Sequence, residues 1–267
     1  MTYQHPFPAV RLNGESFMRV VTLALPQDLV RLFLPAGMEL GSQSLTANGT
    51  HPVMLFFNDN FRLEMNLPTL VPSLTYHEHY VGIPFTFLAN SPNVASTSGP
   101  YFFMPKLHLD HLLAVLGGII FWGFAKELTS ITVRAHEYTV TSLTGRRLAT
   151  LEWDQKTVVY SPVLDLPFFA PMQQILGQPL ISMVPFSVGP FFSLSDLNRR
   201  WDLAALAPIR ASVQVDVAYV EGYPCGRSPK VGWLPAISAK NPLGCYMLRV
   251  PWWLSLPYPP PRAGFWR

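Results

Sequence analysis

The chain has 267 residues, enough to bury a substantial core in one large domain or two small ones. Apolar residues make up 49% of it and charged residues only 13%; so little charge implies surface covered by something other than water, and a homo-oligomer is the simplest cover. The net charge of +3 forms no basic run longer than Arg146-Arg147 or Arg199-Arg200, which excludes a nucleic-acid footprint and leaves each pair reading as a solvated face.

The N-terminus, Met-Thr-Tyr-Gln-His-Pro, has neither a basic nor an apolar leader region. A cytoplasmic protein without a membrane partner is therefore expected. Asn13-Gly14 and Asn48-Gly49 are hairpin-turn signals between apolar stretches. Asn48-Gly49-Thr50 also matches a glycosylation acceptor but reads better as a turn. Residues 26–34 predict a short helix, opened by Pro26-Gln27-Asp28, striped by Leu29, Leu32 and Phe33, and closed by Pro35. Residues 52–57 and 82–88 are apolar, aromatic runs of strand length, and residues 74–80 join the second. Residues 90–100 read as a loop.

Residues 112–125 form the longest apolar run, shorter than the ~20 residues of a membrane-spanning helix and broken by Gly117-Gly118. They read as a buried core segment. Residues 131–140 predict one strand, turned by Thr144-Gly145-Arg146 into another over 148–153. Residues 193–205 predict a helix, capped by Ser193 or Ser195, with Leu194, Leu197, Trp201 and Ala204 on one face. Residues 211–220 alternate Val213, Val215 and Val217 with small or polar neighbours, as in a half-buried strand. The proline- and tryptophan-rich tail, 251–267, is expected to be neither a helix nor a central strand. With 27 prolines and 13% aromatic residues, the chain is neither disordered nor all-helical. Its many short strands and few helices predict a β-rich α+β fold. The expected architecture is an antiparallel barrel or curved sheet with helices packed outside, forming a single domain over 1–267.

Two clusters carry chemistry. Lys126 follows the charge-free run, and apolar surroundings disfavour an ammonium, whereas a neutral amine is a nucleophile. The plainer reading is a surface lysine at the end of an apolar run. The second cluster is Tyr76-His77-Glu78-His79-Tyr80. On a strand, Tyr76, Glu78 and Tyr80 share one face and His77 and His79 the other. Glu78 is then a candidate general acid or base beside two phenols. His77, His79, His108 and His111 are candidate metal ligands, but no known metal motif joins them, so no metal is expected. Cys225 and Cys245 fit neither a disulfide scaffold nor a zinc site. Nucleophile-elbow, phosphate-loop and dinucleotide motifs are absent, so no cofactor is expected.

Residues 103–127, FMPKLHLDHLLAVLGGIIFWGFAKE, resemble the acetoacetate decarboxylase superfamily. Leu109-Asp110 matches its strand segment, Gly118 its glycine, and Phe124-Ala125-Lys126-Glu127 its aromatic-Pro-Lys-Lys ending. Glu78 with Ile83-Pro84 matches its glutamate and trailing Ile-Pro, allowing one inserted residue. The resemblance covers most of the chain except 156–196 and implies a Schiff-base lysine at Lys126. It further implies Glu78 in the active site and a homo-oligomeric barrel or cone; Glu78 is then expected to move protons, with Tyr76, Tyr80, Phe124 and Arg11 as candidate substrate contacts. Its departures are Glu127 in place of the second lysine and no second glutamate near 51–57. The family's N-terminal arginine aligns near Gly14, with Arg11 and Arg19 only its neighbours. Should 126–127 be extended, Glu127 points away from the amine. The implied activity is a Schiff-base lyase acting on an oxo acid or related carbonyl compound, by decarboxylation or aldol and dehydration chemistry. The other reading is a non-catalytic protein holding an apolar ligand in the same barrel.

Overall fold

The computed structural model describes residues 11–65, 73–88, 99–154, 158–183, 192–215 and 230–260. Val217, Cys225 and most of the loop expected over 90–100 lie outside the described residues. Three long strands make the framework: β1 (Arg11–Pro26), β3 (Thr50–Met65) and β4 (Leu74–Leu88), with β2 (Met38–Leu40) pairing along the end of β4. β1 pairs antiparallel with β3 and β3 with β4. Residues 52–57 are buried without alternation because both faces of this sheet are covered. Met54, Phe56 and Tyr80 enter one apolar layer, and Val53, Leu55, Phe57 and Val81 the other.

β5 (Tyr101–Phe103) and β6 (Leu107–Leu109) pair with β4. β6 then pairs parallel with β7 (Lys126–Val133), which continues antiparallel into β8 (Glu137–Ser142) and β9 (Arg147–Trp153). Two short strands, β10 (Ser161–Pro162) and β11 (Leu180–Met183), flank the helical segment, and β11 pairs parallel with β5 and antiparallel with β12 (Phe192–Ser195). β13 (Leu197–Arg199) and β14 (Ala205–Pro208) follow. β15 (Ala211–Val215) and β16 (Lys230–Leu234) extend the sheet beyond β9. β17 (Tyr246–Ser255) lies between β1 on one side and β13 and β14 on the other. The helices are short: α1 (Gln27–Arg31), α2 (Leu112–Trp122) and α3 (Ala170–Leu176). The β-rich architecture with few helices is thus the expected one, with parallel pairings of β5 with β11 and β6 with β7 inside a mainly antiparallel sheet. No described helix is long and apolar enough to cross a membrane.

Several local expectations are corrected. Asn13-Gly14 is no hairpin turn but part of β1, beside a register shift against β3. Gly14 is needed there for close approach, since a Cβ would lie 2.8 Å from the Trp252 ring. Asn48-Gly49 does turn, with Gly49 at φ +82°. The single strand expected over 131–140 is two, β7 and β8. The helix expected over 193–205 is β12, β13, a 3-10 turn (Trp201–Leu203) and the start of β14. Partners on β11 and β17 satisfy its backbone, and tertiary pairing overrides the helical spacing of its leucines. Residues 251–255, expected outside any central strand, are the end of β17. Residues 112–125 are not a buried segment throughout. α2 buries Ala114, Val115, Gly118 and Trp122 but leaves Leu112, Leu113, Leu116, Ile120 and Phe121 exposed.

Candidate active site

α2 closes at Gly123, which takes the left-handed conformation (φ 67°), and the Phe124 N–H donates to the Gly118 carbonyl. The chain therefore doubles back and enters β7 at Lys126 with that side chain laid across Gly118. A Cβ at Gly118 would sit 2.3 Å from Lys126 Cε and 2.7 Å from Nζ. Glycine at this position is a space requirement of the lysine. Lys126 and Glu127, consecutive on a strand, face opposite sides, and Glu127 pairs with Lys106. The extended geometry thus does turn Glu127 away from the amine.

Lys126 Nζ lies 3.5 Å from Glu78 Oε1, with side-chain exposures of 8% and 10%. Both line a cavity of about 380 Å³ whose wall is otherwise mostly apolar. Glu78 is opposite Asn58 in the β3–β4 ladder, and Asn60 is opposite Tyr76. These four therefore share the cavity face. Glu78 Oε2 accepts from Asn60 Nδ2 (3.2 Å), Asn60 Oδ1 from Ser16 Oγ (2.5 Å), and Ser16 Oγ from Trp252 Nε1 (2.6 Å). This chain has one direction. An indole N–H can only donate, so the Ser16 hydroxyl spends its own proton on Asn60, whose amide then faces Glu78 with N–H. Glu78 Oε2 is thereby held as an acceptor, and Oε1 is the oxygen left facing the amine. From the far side, the fully buried Tyr138 hydroxyl donates to the backbone carbonyls of Asn58 and Glu78, pinning the two strands where the site sits.

Tyr76, Tyr80 and Phe124 also line the cavity, and the Tyr76 and Phe124 rings lie 5.9 and 6.0 Å from Lys126 Nζ. Burial, reinforced by the Glu78 charge, pushes the Tyr76 phenol well above its ordinary range, so it stays a neutral proton donor. Burial acts likewise on Tyr80, which stacks on Phe56 at 4.5 Å. Arg11 is not brought here. It is exposed at the start of β1, over the Trp253 ring, and lines no part of the cavity. Arg199, from β13, lines it instead. Sequence reasoning missed Ser16, Asn60, Trp252 and Arg199. The Asn58-Asp59-Asn60 triplet inside a buried apolar run was the available signal for Asn60; none marked Arg199.

The opposite face of β4 carries a separate charge cluster. Asp59 accepts from Arg19 Nη1 at 3.1 Å, and His77 Nδ1 contacts Asp110 Oδ2 at 2.6 Å. His79 and His108 are buried imidazoles pulled down to about 3 and about 4 by burial, and so neutral. Among the described residues no group of three His, Cys, Asp or Glu side chains could hold a metal ion. Cys245 is buried, its thiol pushed up to about 12 by burial. The Asp110 hydrogen bond raises His77 above the ordinary imidazole range, against an opposing effect of burial, with Asp110 and Asp59 charge adding and Arg19 charge opposing. A raised folded value stabilises fully below the unfolded imidazole's pKa of about 6.5 and is lost as pH rises through the folded value. His79 and His108 act with the opposite sign, destabilising as pH falls below about 6.5. Urea midpoints measured above about pH 6.5 are therefore expected to fall in the wild type and to stay flat in Asp110→Asn. An equal fall in both would remove His77 as the cause.

No protein-family model and no curated protein matches the chain. Solved structures do. The enduracididine biosynthesis enzyme MppR complexed with pyruvate superposes with a TM-score of 0.55 at 14% identity, over 96% of this chain and 92% of that one. Acetoacetate decarboxylase from Legionella pneumophila gives 0.55 at 14%, over 97% and 90%. This chain has the acetoacetate decarboxylase fold. An acetoacetate decarboxylase-like enzyme from Sphingomonas wittichii gives 0.56 at 13%, over 95% and 94%. Another MppR structure, at 0.57 and 12% over 92% and 87%, holds the condensation product of pyruvate and imidazole 4-carboxaldehyde.

Proposed function

We propose that this chain is a lyase that forms a Schiff base between Lys126 and a carbonyl substrate, with Glu78 moving the protons. The observation that carries this reading is one enclosed amine 3.5 Å from one enclosed carboxylate at the wall of a cavity. MppR, of like fold, binds pyruvate and its condensation product with an aldehyde, which supports carbonyl chemistry in such a cavity.

Glu78 Oε1 takes a proton from the Lys126 ammonium, and the freed amine attacks the carbonyl carbon. The carbonyl oxygen becomes a hydroxyl by taking a proton from the attacking nitrogen, and Glu78 returns its own proton as that hydroxyl leaves as water. The resulting iminium accepts the electron pair of a broken C–C or C–H bond on the adjacent carbon. Carbon dioxide, an aldehyde or a proton is the other fragment. Protonation of the enamine carbon and hydrolysis of the iminium regenerate the lysine. The low exposure of both side chains strengthens the charge interactions acting on each proton transfer. The Asn60 amide holds Glu78 Oε2 as an acceptor, so the exchanged proton stays on Oε1.

The test is borohydride trapping with a panel of keto acids, diketones and aldehydes, followed by peptide mass spectrometry. An adduct confined to Lys126 among the 5 lysines is expected. Adducts spread evenly over the lysines, or none, would leave the apolar-ligand protein as the better reading.

A further inference from the structure

Arg199 and Arg200 read alike in the sequence and differ in the fold. Arg200 is exposed and paired with Asp202 through two hydrogen bonds. Arg199 is half-buried and turns into the cavity, where it donates a hydrogen bond to the Leu176 carbonyl at the end of α3. Among the described residues no carboxylate pairs with it. The ionisable neighbours that act on it are Tyr80 and Tyr246, both buried phenols held neutral. A guanidinium cannot shed its charge at working pH. A positive charge in a mostly apolar wall, whose neighbours among the described residues are a carbonyl and phenols, is costly until an anion joins it.

Its position matters as much as its charge. Arg199 comes from β13, which β17, β1 and β3 separate from β4 in the sheet. β13 and β4 nevertheless wall the same cavity, so Arg199 faces the Glu78 strand from the other side. It neighbours Tyr80, whereas Lys126 neighbours Glu78, Tyr76 and Phe124. The two cations therefore reach different parts of a ligand held in one mostly apolar cavity.

We infer that Arg199 anchors the carboxylate of the ligand and that the cavity selects an oxo monocarboxylate whose carbonyl is separated from the carboxylate by an apolar chain. This deepens the proposed function at the same site and rests on it for the carbonyl end alone. A single guanidinium matches the charge of one carboxylate and its two oxygens, and a phosphate dianion would leave a charge uncompensated. A carboxylate fixed at Arg199 is not the group lost beside the iminium. The chemistry at Lys126 would then be cleavage or formation of another C–C or C–H bond.

The experiment is calorimetric titration of the full chain with hexanoate, which has no ketone or aldehyde and forms no Schiff base. Wild type is expected to bind hexanoate at least about tenfold more tightly than the neutral hexanamide. Lys126→Ala is expected to keep that preference. Arg199→Gln, which retains an amide donor for the Leu176 carbonyl, is expected to lose it. Equal binding of hexanoate and hexanamide to wild type overturns the inference without any variant. Loss of the preference in Lys126→Ala, or its retention in a folded Arg199→Gln, overturns it too. Tighter binding of hexyl phosphate than of hexanoate would overturn the assignment to a carboxylate. Failure of borohydride trapping with the preference intact sinks the Schiff-base reading and leaves the anion anchor standing.

Discussion

Lys126→Ala is expected to abolish borohydride trapping and to cut turnover of the best-trapped carbonyl substrate by on the order of 10,000-fold. The loss is large because no other described amine lines the cavity. Lys106 is engaged with Glu127 on the other side of the strand. The fold should tolerate the change, since truncation leaves Glu78 with its hydrogen bond from Asn60 and with cavity space into which water can move. A folded Lys126→Ala with turnover near wild type would end the proposal. Gly118→Ala is the informative companion. Its methyl group collides with the flexible end of Lys126, not with backbone. The lysine must move away from Glu78, so trapping should slow by roughly tenfold while thermal stability changes little. Rapid trapping in Gly118→Ala would show that the amine does not need its observed position.

Asp59→Ala is expected to cost about 3 kcal/mol of stability, read from equilibrium urea unfolding. Arg19 and Asp59 are both buried, at 4% and 8% exposure, and removing the carboxylate leaves the guanidinium uncompensated. Three rings soften the loss: Arg19 Cζ lies 4.4 Å from the Phe17 centroid, 4.8 Å from Trp153 and 5.6 Å from Tyr138. His77 also loses a neighbouring charge, at 3.8 Å. The paired change Arg19→Met with Asp59→Leu removes both charges and is expected to recover most of the loss. A single-variant cost under about 1 kcal/mol would mean that the pair adds little beyond its own desolvation. The cluster lies directly behind the Glu78 strand. Asp59→Ala is therefore expected to disturb the site as well, through the backbone that Tyr138 holds.

Much of the site was legible in the residues. The face-sharing of Tyr76, Glu78 and Tyr80 follows from strand period alone, and the structure places all three at the cavity. Lys126 stood out as the single charge after a long apolar run, and Glu127 pointed away for the same period-two reason. The failures lie where long-range pairing decides. Residues 193–205 have helical spacing, yet neighbours on β11 and β17 offer hydrogen bonds and burial that an isolated helix lacks. The prolines at 251 and beyond argued against a central strand, yet the Pro251 carbonyl still accepts from the Arg200 N–H inside the sheet.

By itself the sequence determined the strand-rich class, the faces of β4 and the isolation of Lys126, because each depends on neighbours within a few residues. Only the tertiary structure decided that Asn60 would orient Glu78, with Ser16 and Trp252 behind it, and that Gly118 would make room for the lysine. It also decided that Arg199, and not Arg11, would reach the cavity. Trp252 and Ser16 are 236 residues apart in the chain, and Arg199 meets the Glu78 strand across a curved sheet. No local pattern encodes contacts between elements so distant, since they arise when the sheet bends and brings its separate strands around one space.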